Sequence, residues 1–334
     1  MNAEPDLSTT YLGLELKNPI IVGAGPLGDC RETVIALEQA GAAALVMHSL
    51  FEEQLHLEMS GREAHLEAHG ESFGEATSYF PAAYEYTFKP ERYLEHLRWL
   101  KKSVGIPIIA SLNGTTPGGW TLYAEMLQDA GADALELNFY YPAIRVDESA
   151  AEVEKVLLDT ITDVRSVISL PLAVKLSPFY TSLGHVARRA VSAGADGLVL
   201  FNRFYQPDID PEKMETVSTL RLSSSNDLLL RLRWLAALRD KVDASLACTG
   251  GIHQPIDVIK SVLAGADAVQ VVSSLLKHGP EHIEILLKKI RSWFQEHYYD
   301  SVHQLKGAMS MRHCPEPAAY ERGNYLKIVQ GWKI

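Results

Sequence analysis

Short, almost wholly apolar runs alternate along this chain with longer stretches in which apolar residues recur every three or four positions. Short apolar runs predict strands buried on both faces, and the longer period predicts amphipathic helices covering them. The helical period is plainest from Glu281 to Gln295, where Ile283, Leu286, Leu287, Ile290, Trp293 and Phe294 fall on one face. One phrase recurs four times. Gln39 to His48, Asp129 to Asn138, Ser192 to Asn202 and Leu263 to Ser273 all carry Ala-Gly-Ala near their start and then run into an apolar stretch. The glycine of each, Gly41, Gly131, Gly194 or Gly265, reads as the left-handed residue that ends a helix before a strand begins. Ile106 to Asn113, Leu170 to Lys175 and Ala244 to Gly250 are strands with a different entry, and Asn18 to Gly25 is the opening one. Eight alternating βα units predict an α/β fold of the (β/α)8 TIM-barrel kind, a single domain spanning residues 1–334. A doubly wound open sheet is the competing architecture. It needs a glycine-rich dinucleotide turn after the first strand, and in Gly23 to Gly28 Pro26 removes an amide that such a turn would aim at phosphate.

Two stretches fall outside the eight units, residues 51–89 after the second strand and 204–225 after the sixth. Both leave the carboxyl end of the barrel, where long loops shape substrate pockets. The tail, residues 301–334, is expected to pack on the barrel or on a second subunit.

Composition narrows the partners. With a formal net charge of -11 the chain has no basic stripe to neutralise phosphates, so a nucleic-acid partner is not expected. No apolar run approaches the roughly 18 residues that span a bilayer, and the first ten residues do not resemble a signal peptide. Cys30, Cys248 and Cys314 lie far apart without metal-type spacing, which suits a reducing, cytoplasmic setting. His65 and His69, four apart near Glu63 and Glu67, have a spacing that could bind metal. They lack an evident third ligand, so an exposed helix is the preferred reading and no metal site is assigned.

The carboxyl ends of the strands carry the candidate chemistry. Thr249-Gly-Gly-Ile252 after strand seven and Ser273-Ser274 after strand eight occupy the place where barrel enzymes commonly hold a ligand's phosphate. Backbone amides of Gly250, Gly251, Ser273 and Ser274 would do the holding. Lys175 ends an apolar run and is expected to point into the pocket towards an anion, the alternative being a reach to the rim. Glu136 and Asn138 face inward if Leu135 and Leu137 face the helices, either to hydrogen-bond a planar heterocycle or to form a satisfied polar layer. Tyr140-Tyr141-Pro142 reads equally as a proton-transfer site or as an aromatic wall.

In order along the chain these segments resemble the dihydroorotate dehydrogenase family. Asn18 to Gly25 is similar to its opening strand, Leu135 to Pro142 to its strand-four signature and Val174 to Pro178 to its strand-five signature. Leu200 to Asn202, Cys248 to Ile252 and Ala266 to Val271 complete the set. The resemblance implies FMN, a small-molecule substrate and a homodimer. It places Ala24, Gly25, Ser49, Asn113, Lys175, Gly250, Gly251, Ser273 and Ser274 around the cofactor, with Lys175 beside the pyrimidine edge of the flavin. Asn138 and Asn202 match amides that bind substrate. The reaction it implies is oxidation of dihydroorotate to orotate, in pyrimidine biosynthesis, or of a related small substrate by hydride transfer to flavin N5. The chain departs from the family where Tyr141 and Pro142-Ala143 stand in place of a cysteine or serine base and the Pro-Asn pair after it, and where His48 stands in place of a lysine after strand two. An asparagine-rich segment of the family has no counterpart in 72–89. Tyr141 and His48 are therefore the candidate proton-transfer residues. Other readings of the same residues are a flavin-binding protein with a regulatory or electron-transfer role, and a lyase or isomerase using Lys175 as a Schiff base. No iron-sulfur cysteine set or nicotinamide fingerprint names the electron acceptor.

Overall fold

The computed structural model describes residues 4–51, 90–113, 117–203, 206–217 and 220–331. Eight parallel strands close on themselves: β1 (Ile20–Val22), β2 (Ala44–Phe51), β3 (Ile108–Asn113), β4 (Ala134–Asn138), β5 (Leu172–Leu176), β6 (Gly197–Leu200), β7 (Ser245–Thr249) and β8 (Ala268–Val271). Closure runs through β8 and β1, where Val269, Gln270 and Val271 pair with Ile20, Ile21 and Val22. Helices α1 (Arg31–Gln39), α2 (Pro90–Ser103), α3 (Pro117–Asp129), α4 (Ala150–Val167), α5 (Leu183–Ser192), α6 (Leu228–Leu238) and α7 (Pro255–Ala264) follow the first seven strands. A short α8 (Ser273–His278) and the longer α9 (His282–Glu296) follow the last. This is the (β/α)8 TIM barrel that the alternating pattern predicts. The four repeated glycines all have positive φ, from 95° at Gly131 to 119° at Gly265, as helix-ending residues require. At Gly41 a side chain is excluded on steric grounds as well, since a Cβ there would lie 2.7 Å from Leu287.

Side-chain alternation divides the apolar residues between two cores. Leu135 and Leu137 of β4, Leu172, Val174 and Leu176 of β5 and their equivalents face the helices in one large cluster. The opposite parity faces the barrel axis. At its amino end Ile21, Val46, Ile109, Ala134, Ala173, Val199, Ala247 and Ala268 pack around Tyr11, Leu12 and Leu16. Those three belong to an antiparallel hairpin, Thr9–Tyr11 with Leu14–Leu16, that stoppers this end. The small inward alanines leave the volume that Tyr11 and Leu12 fill. One step along β3, β4, β5 and β8 the inward positions turn polar, with Ser111, Glu136, Lys175 and Gln270 all buried. The carboxyl end is therefore where chemistry has room.

A bulge in β2 matters for the site. Val46 pairs with Ile109 but Ser49 pairs with Ser111, so β2 uses one more residue than β3 over the same length. The extra residue breaks the alternation and lets the neighbours His48 and Ser49 face the same side.

The 204–225 stretch contains a short hairpin, Asp208–Asp210 with Glu215–Val217, and returns through Ser223 to the barrel mouth. From residue 301 the chain packs on its own barrel, with Val302 and Leu305 buried and Gly307 and Met309 donating to the carbonyls of Val262 and Leu263. Beyond that, helix α10 (Gly323–Gly331) exposes Tyr325, Leu326, Ile328 and Val329. Among the described residues no helix is long and apolar enough to cross a membrane. His65 and His69 lie outside the described residues.

Candidate active site

A cavity of about 420 Å³ opens at the carboxyl ends of the strands. That is ample for a small ligand, and apolar walls with a few convergent polar groups are what such sites have. Ala24, Gly25, His48, Ser49, Asn113, Asn138, Tyr140, Lys175, Asn202, Gly250, Gly251 and Ser273 all line it.

At its floor the Lys175 ammonium, 6% exposed, donates to Glu136 Oε1 at 3.0 Å and to Gln270 Oε1 at 3.4 Å. Gln270 also donates its amide to the other Glu136 oxygen. Glu136 lies within strand β4 and Gln270 within β8, across the barrel, so the cation is held between elements rather than by its own strand. The amine faces the interior and does not reach to the rim. Above this layer Asn138 donates to Ser49 Oγ at 3.2 Å, and Ser49 is hydrogen-bonded to Ser111 at 2.8 Å. Asn138 Oδ1 is buried and has no protein partner among the described residues. Buried acceptors are rarely left unpaired, so this one is suited to a donor on a ligand. Asn202 spends its amide protons on the carbonyls of Phe139 and Lys175, which fixes its orientation across the β5–β6 junction.

On the opposite wall Gly250 and Gly251 have φ of 86° and 88°. A Cβ on Gly251 would lie 2.5 Å from the Leu228 amide nitrogen, so only glycine lets α6 come this close. Ser223 joins this turn to the next: its hydroxyl accepts from Gly251 N–H at 3.3 Å, and its own N–H donates to Ser273 Oγ at 3.2 Å. Ser274 is fully buried behind the wall, its hydroxyl without a partner among the described residues, and its side chain does not line the cavity. Arg203 lines the same side and has no hydrogen-bond or ion-pair partner among the described residues. Arg231, reaching in from α6, donates to the Thr249 carbonyl at 3.0 Å. Burial holds Arg231 below the ordinary arginine value, and the like charge of Arg203 adds to that effect.

His48 lies at the mouth with Nδ1 hydrogen-bonded to Asp29, on the loop after β1. Tyr141 is placed differently from what its motif suggests. It does not line the cavity, it is 37% exposed, and its hydroxyl donates to Glu148 at 2.7 Å. That hydrogen bond raises the phenol above its ordinary value. The hydroxyl is thus engaged by Glu148 outside the residues that line the cavity. The reason is local: successive residues after β4 point to opposite sides, so Tyr140 takes the cavity and Tyr141 the outside.

A family profile described as dihydroorotate dehydrogenase matches residues 90–294. The chain belongs to the dihydroorotate dehydrogenase family. Among curated relatives it is 24% identical to the catalytic subunit of dihydroorotate dehydrogenase B (NAD(+)) of Thermoplasma acidophilum, over 90% of this chain and 98% of the relative. It is 27% identical to the corresponding protein of Endomicrobium trichonymphae, over 92% and 98%. It is also 22% identical to chloroplastic dihydropyrimidine dehydrogenase (NADP(+)) of Arabidopsis thaliana, over 91% of this chain and 77% of the relative. A dihydroorotate dehydrogenase-family chain is an oxidoreductase, and the strand-end cavity is where a barrel of this kind carries its chemistry.

Sequence reasoning missed Asp29, Gln270, Arg203 and Ser223. Gln270 was within reach, since it breaks the apolar run from Ala268 to Val271 at an inward position. Asp29 and Ser223 lie on loops with no periodicity, and only folding brings them to His48 and Gly251.

Proposed function

We propose that this chain is an FMN-dependent dehydrogenase that oxidises a CH–CH bond of a small substrate, dihydroorotate or a close chemical relative. The observation that carries the reading is the Lys175 ammonium, buried at the cavity floor, with the Gly250–Gly251 turn open to the same cavity. A flavin mononucleotide needs a cation beside its pyrimidine edge, hydrogen-bonding groups for its ring and main-chain N–H groups for its phosphate. Lys175 supplies the first, Asn138 Oδ1 and Asn113 the second, and the turns at Gly250, Gly251 and Ser273 the third. Ala24, Gly25 and Ser49 complete the contact surface, and Ser274 contributes through its main chain alone. When bound, FMN supplies a hydride acceptor at N5.

The remaining chemistry falls to the chain itself. Asn138, Asn202 and Arg203 orient the substrate, and Arg203 suits a substrate that bears a negative charge. His48 takes the proton that leaves with the hydride, because it is an imidazole on the cavity wall while the Tyr141 hydroxyl is bound to Glu148 outside. Lys175 is unsuited to Schiff-base chemistry, since an ammonium paired with Glu136 has no lone pair to attack a carbonyl. The relatives' names carry NAD(+) in some cases and NADP(+) in another, so the final electron acceptor is a separate question from the barrel chemistry.

The test is an anaerobic titration of the FMN-loaded protein with dihydroorotate and, in parallel, with dihydrouracil, which lacks the carboxylate. Bleaching of the visible flavin absorbance by either confirms the dehydrogenase, and preference for dihydroorotate confirms the role of Arg203. A purified protein that neither contains nor takes up FMN would sink the proposal.

A further inference from the structure

The loop after β1 makes a tight 3-10 turn at Pro26–Gly28, and Asp29 follows it just before α1. His96 of α2 donates from Nε2 to the Gly28 carbonyl at 2.7 Å, which pins the turn from outside the barrel. Asp29 Oδ1 is thereby brought to His48 Nδ1, with both side chains about four-fifths buried. The imidazole is braced further by Tyr93, whose hydroxyl donates to the His48 carbonyl at 2.9 Å and whose ring meets the His48 ring edge-on at 5.1 Å. His48 lines the cavity and Asp29 does not.

We propose that Asp29 is a positioning residue that sets the tautomer and orientation of His48, so that Nε2 exchanges a proton with the substrate. This rests on the dehydrogenase reading above and adds to it a residue to which no sequence motif points. A carboxylate is an acceptor only, so Nδ1 of the neutral ring must carry the hydrogen and Nε2 the lone pair. In the oxidation, one C–H bond of the substrate breaks and its proton goes to Nε2. The neighbouring C–H bond gives up a hydride, with both electrons, to the bound flavin, and a C=C bond forms between the two carbons. The imidazolium left behind faces the Asp29 carboxylate, which stabilises it until the proton passes to water. Other described candidates fail on chemistry. Lys175 is ion-paired, the Tyr141 hydroxyl is committed to Glu148, and burial pushes the Cys248 thiol up to about 11.

The experiment compares the parent, Asp29→Ala and Asp29→Glu as FMN-loaded proteins labelled with 15N-histidine. The His48 signals are assigned by their loss in His48→Gln. The parent is expected to show a protonated Nδ1 and an unprotonated Nε2, and Asp29→Ala is expected to lose that preference. With dihydroorotate under single-turnover conditions, Asp29→Ala should slow flavin bleaching on the order of 100-fold. Its flavin content and half-saturating substrate concentration should stay close to the parent's, and Asp29→Glu should recover part of the rate. An Asp29→Ala protein that keeps the Nδ1–H tautomer, or that bleaches within about threefold of the parent rate, overturns the proposal. If neither dihydroorotate nor dihydrouracil bleaches the parent, the dehydrogenase reading fails instead. The tautomer comparison then decides alone: loss of the preference in Asp29→Ala supports the assignment, and its retention refutes it.

Discussion

Lys175 and Glu136 carry opposite charges in a place where either alone would be costly. Glu136 is fully buried, and apart from Lys175 its partner among the described residues is the neutral amide of Gln270. Removing one member of a buried pair strands the other, at a cost of about 3–5 kcal/mol. Lys175→Met should therefore lower the urea midpoint markedly, and adding Glu136→Gln should restore most of that stability by neutralising the stranded carboxylate. Flavin bleaching should return in neither variant, because the cation is still missing. A double variant as unstable as the single one would show that the pair is not the source of the loss. Tyr141 supports the opposite prediction. Its hydroxyl serves Glu148 on the outer face of the loop, so Tyr141→Phe should keep the single-turnover rate within about threefold of the parent, far less than the loss of a working acid or base produces. A loss of 100-fold or more would bring the phenol back into the mechanism. These two positions also show what could be read from the chain. Lys175 was legible because a lysine closing an apolar strand has few places to go other than a pocket. At Tyr141 the motif leaves a proton-transfer residue and an aromatic wall equally open, because the pattern does not carry the side to which a residue just past a strand points. His48 was legible as a cavity residue but its partner was not, since nothing in the pattern around Asp29 links it to a strand-end histidine nineteen residues later.

The strands and helices were readable because a βα barrel writes the same burial problem eight times. The Ala-Gly-Ala phrases mark where helices stop and strands begin, and Gly41, Gly131, Gly194 and Gly265 adopt the left-handed conformation that this reading demands. What the periodicity could not reveal was the bulge between Val46 and Ser49, because an inserted residue within an apolar run leaves the composition unchanged. The segment after β7 offers a test at this scale. Gly251 combines a φ of 88° with a backbone contact from α6, so Gly251→Ala must strain the turn or push Leu228 away. Left-handed strain alone costs roughly 1–2 kcal/mol. The larger effect should be on the cofactor, because the turn's N–H groups would no longer converge. FMN at about 100 times its dissociation constant should stabilise the parent by about 2.7 kcal/mol. Most of that gain should vanish in Gly251→Ala, read as the shift in thermal midpoint on adding FMN. A full FMN-induced shift in the variant would exclude this turn from the phosphate site.

Closure of the sheet makes the barrel's stability a property of the whole ring, and the chain ends tie into it. Asp6 pairs with Ser301, the Thr9 hydroxyl donates to the Asp267 carbonyl at 3.0 Å, and the Leu12 amide donates to Ser245 Oγ at 2.9 Å. A strand in a closed ring cannot separate without breaking ladders on both sides, so the described core should open as one unit rather than in halves. Cys248 reports on this. It lies within β7, paired with Leu200 on one side and Val269 on the other, and its thiol donates to Ser261 at 3.4 Å. Burial removes it from reagent and also pushes its pKa up to about 11, so at neutral pH in the folded state it is neither reached nor ionised. Exposed Cys30 should react at once with a disulfide reagent, whereas Cys248 should react only through molecules that have unfolded. For a stability of at least about 5 kcal/mol that means protection of more than roughly 10³-fold. Labelling of Cys248, followed by mass spectrometry across a urea series, should therefore rise with the same midpoint and slope as the loss of far-ultraviolet circular dichroism. If Cys248 labels well before that transition, the β6–β7–β8 part of the ring opens on its own, and the chain holds two cooperative units instead of one.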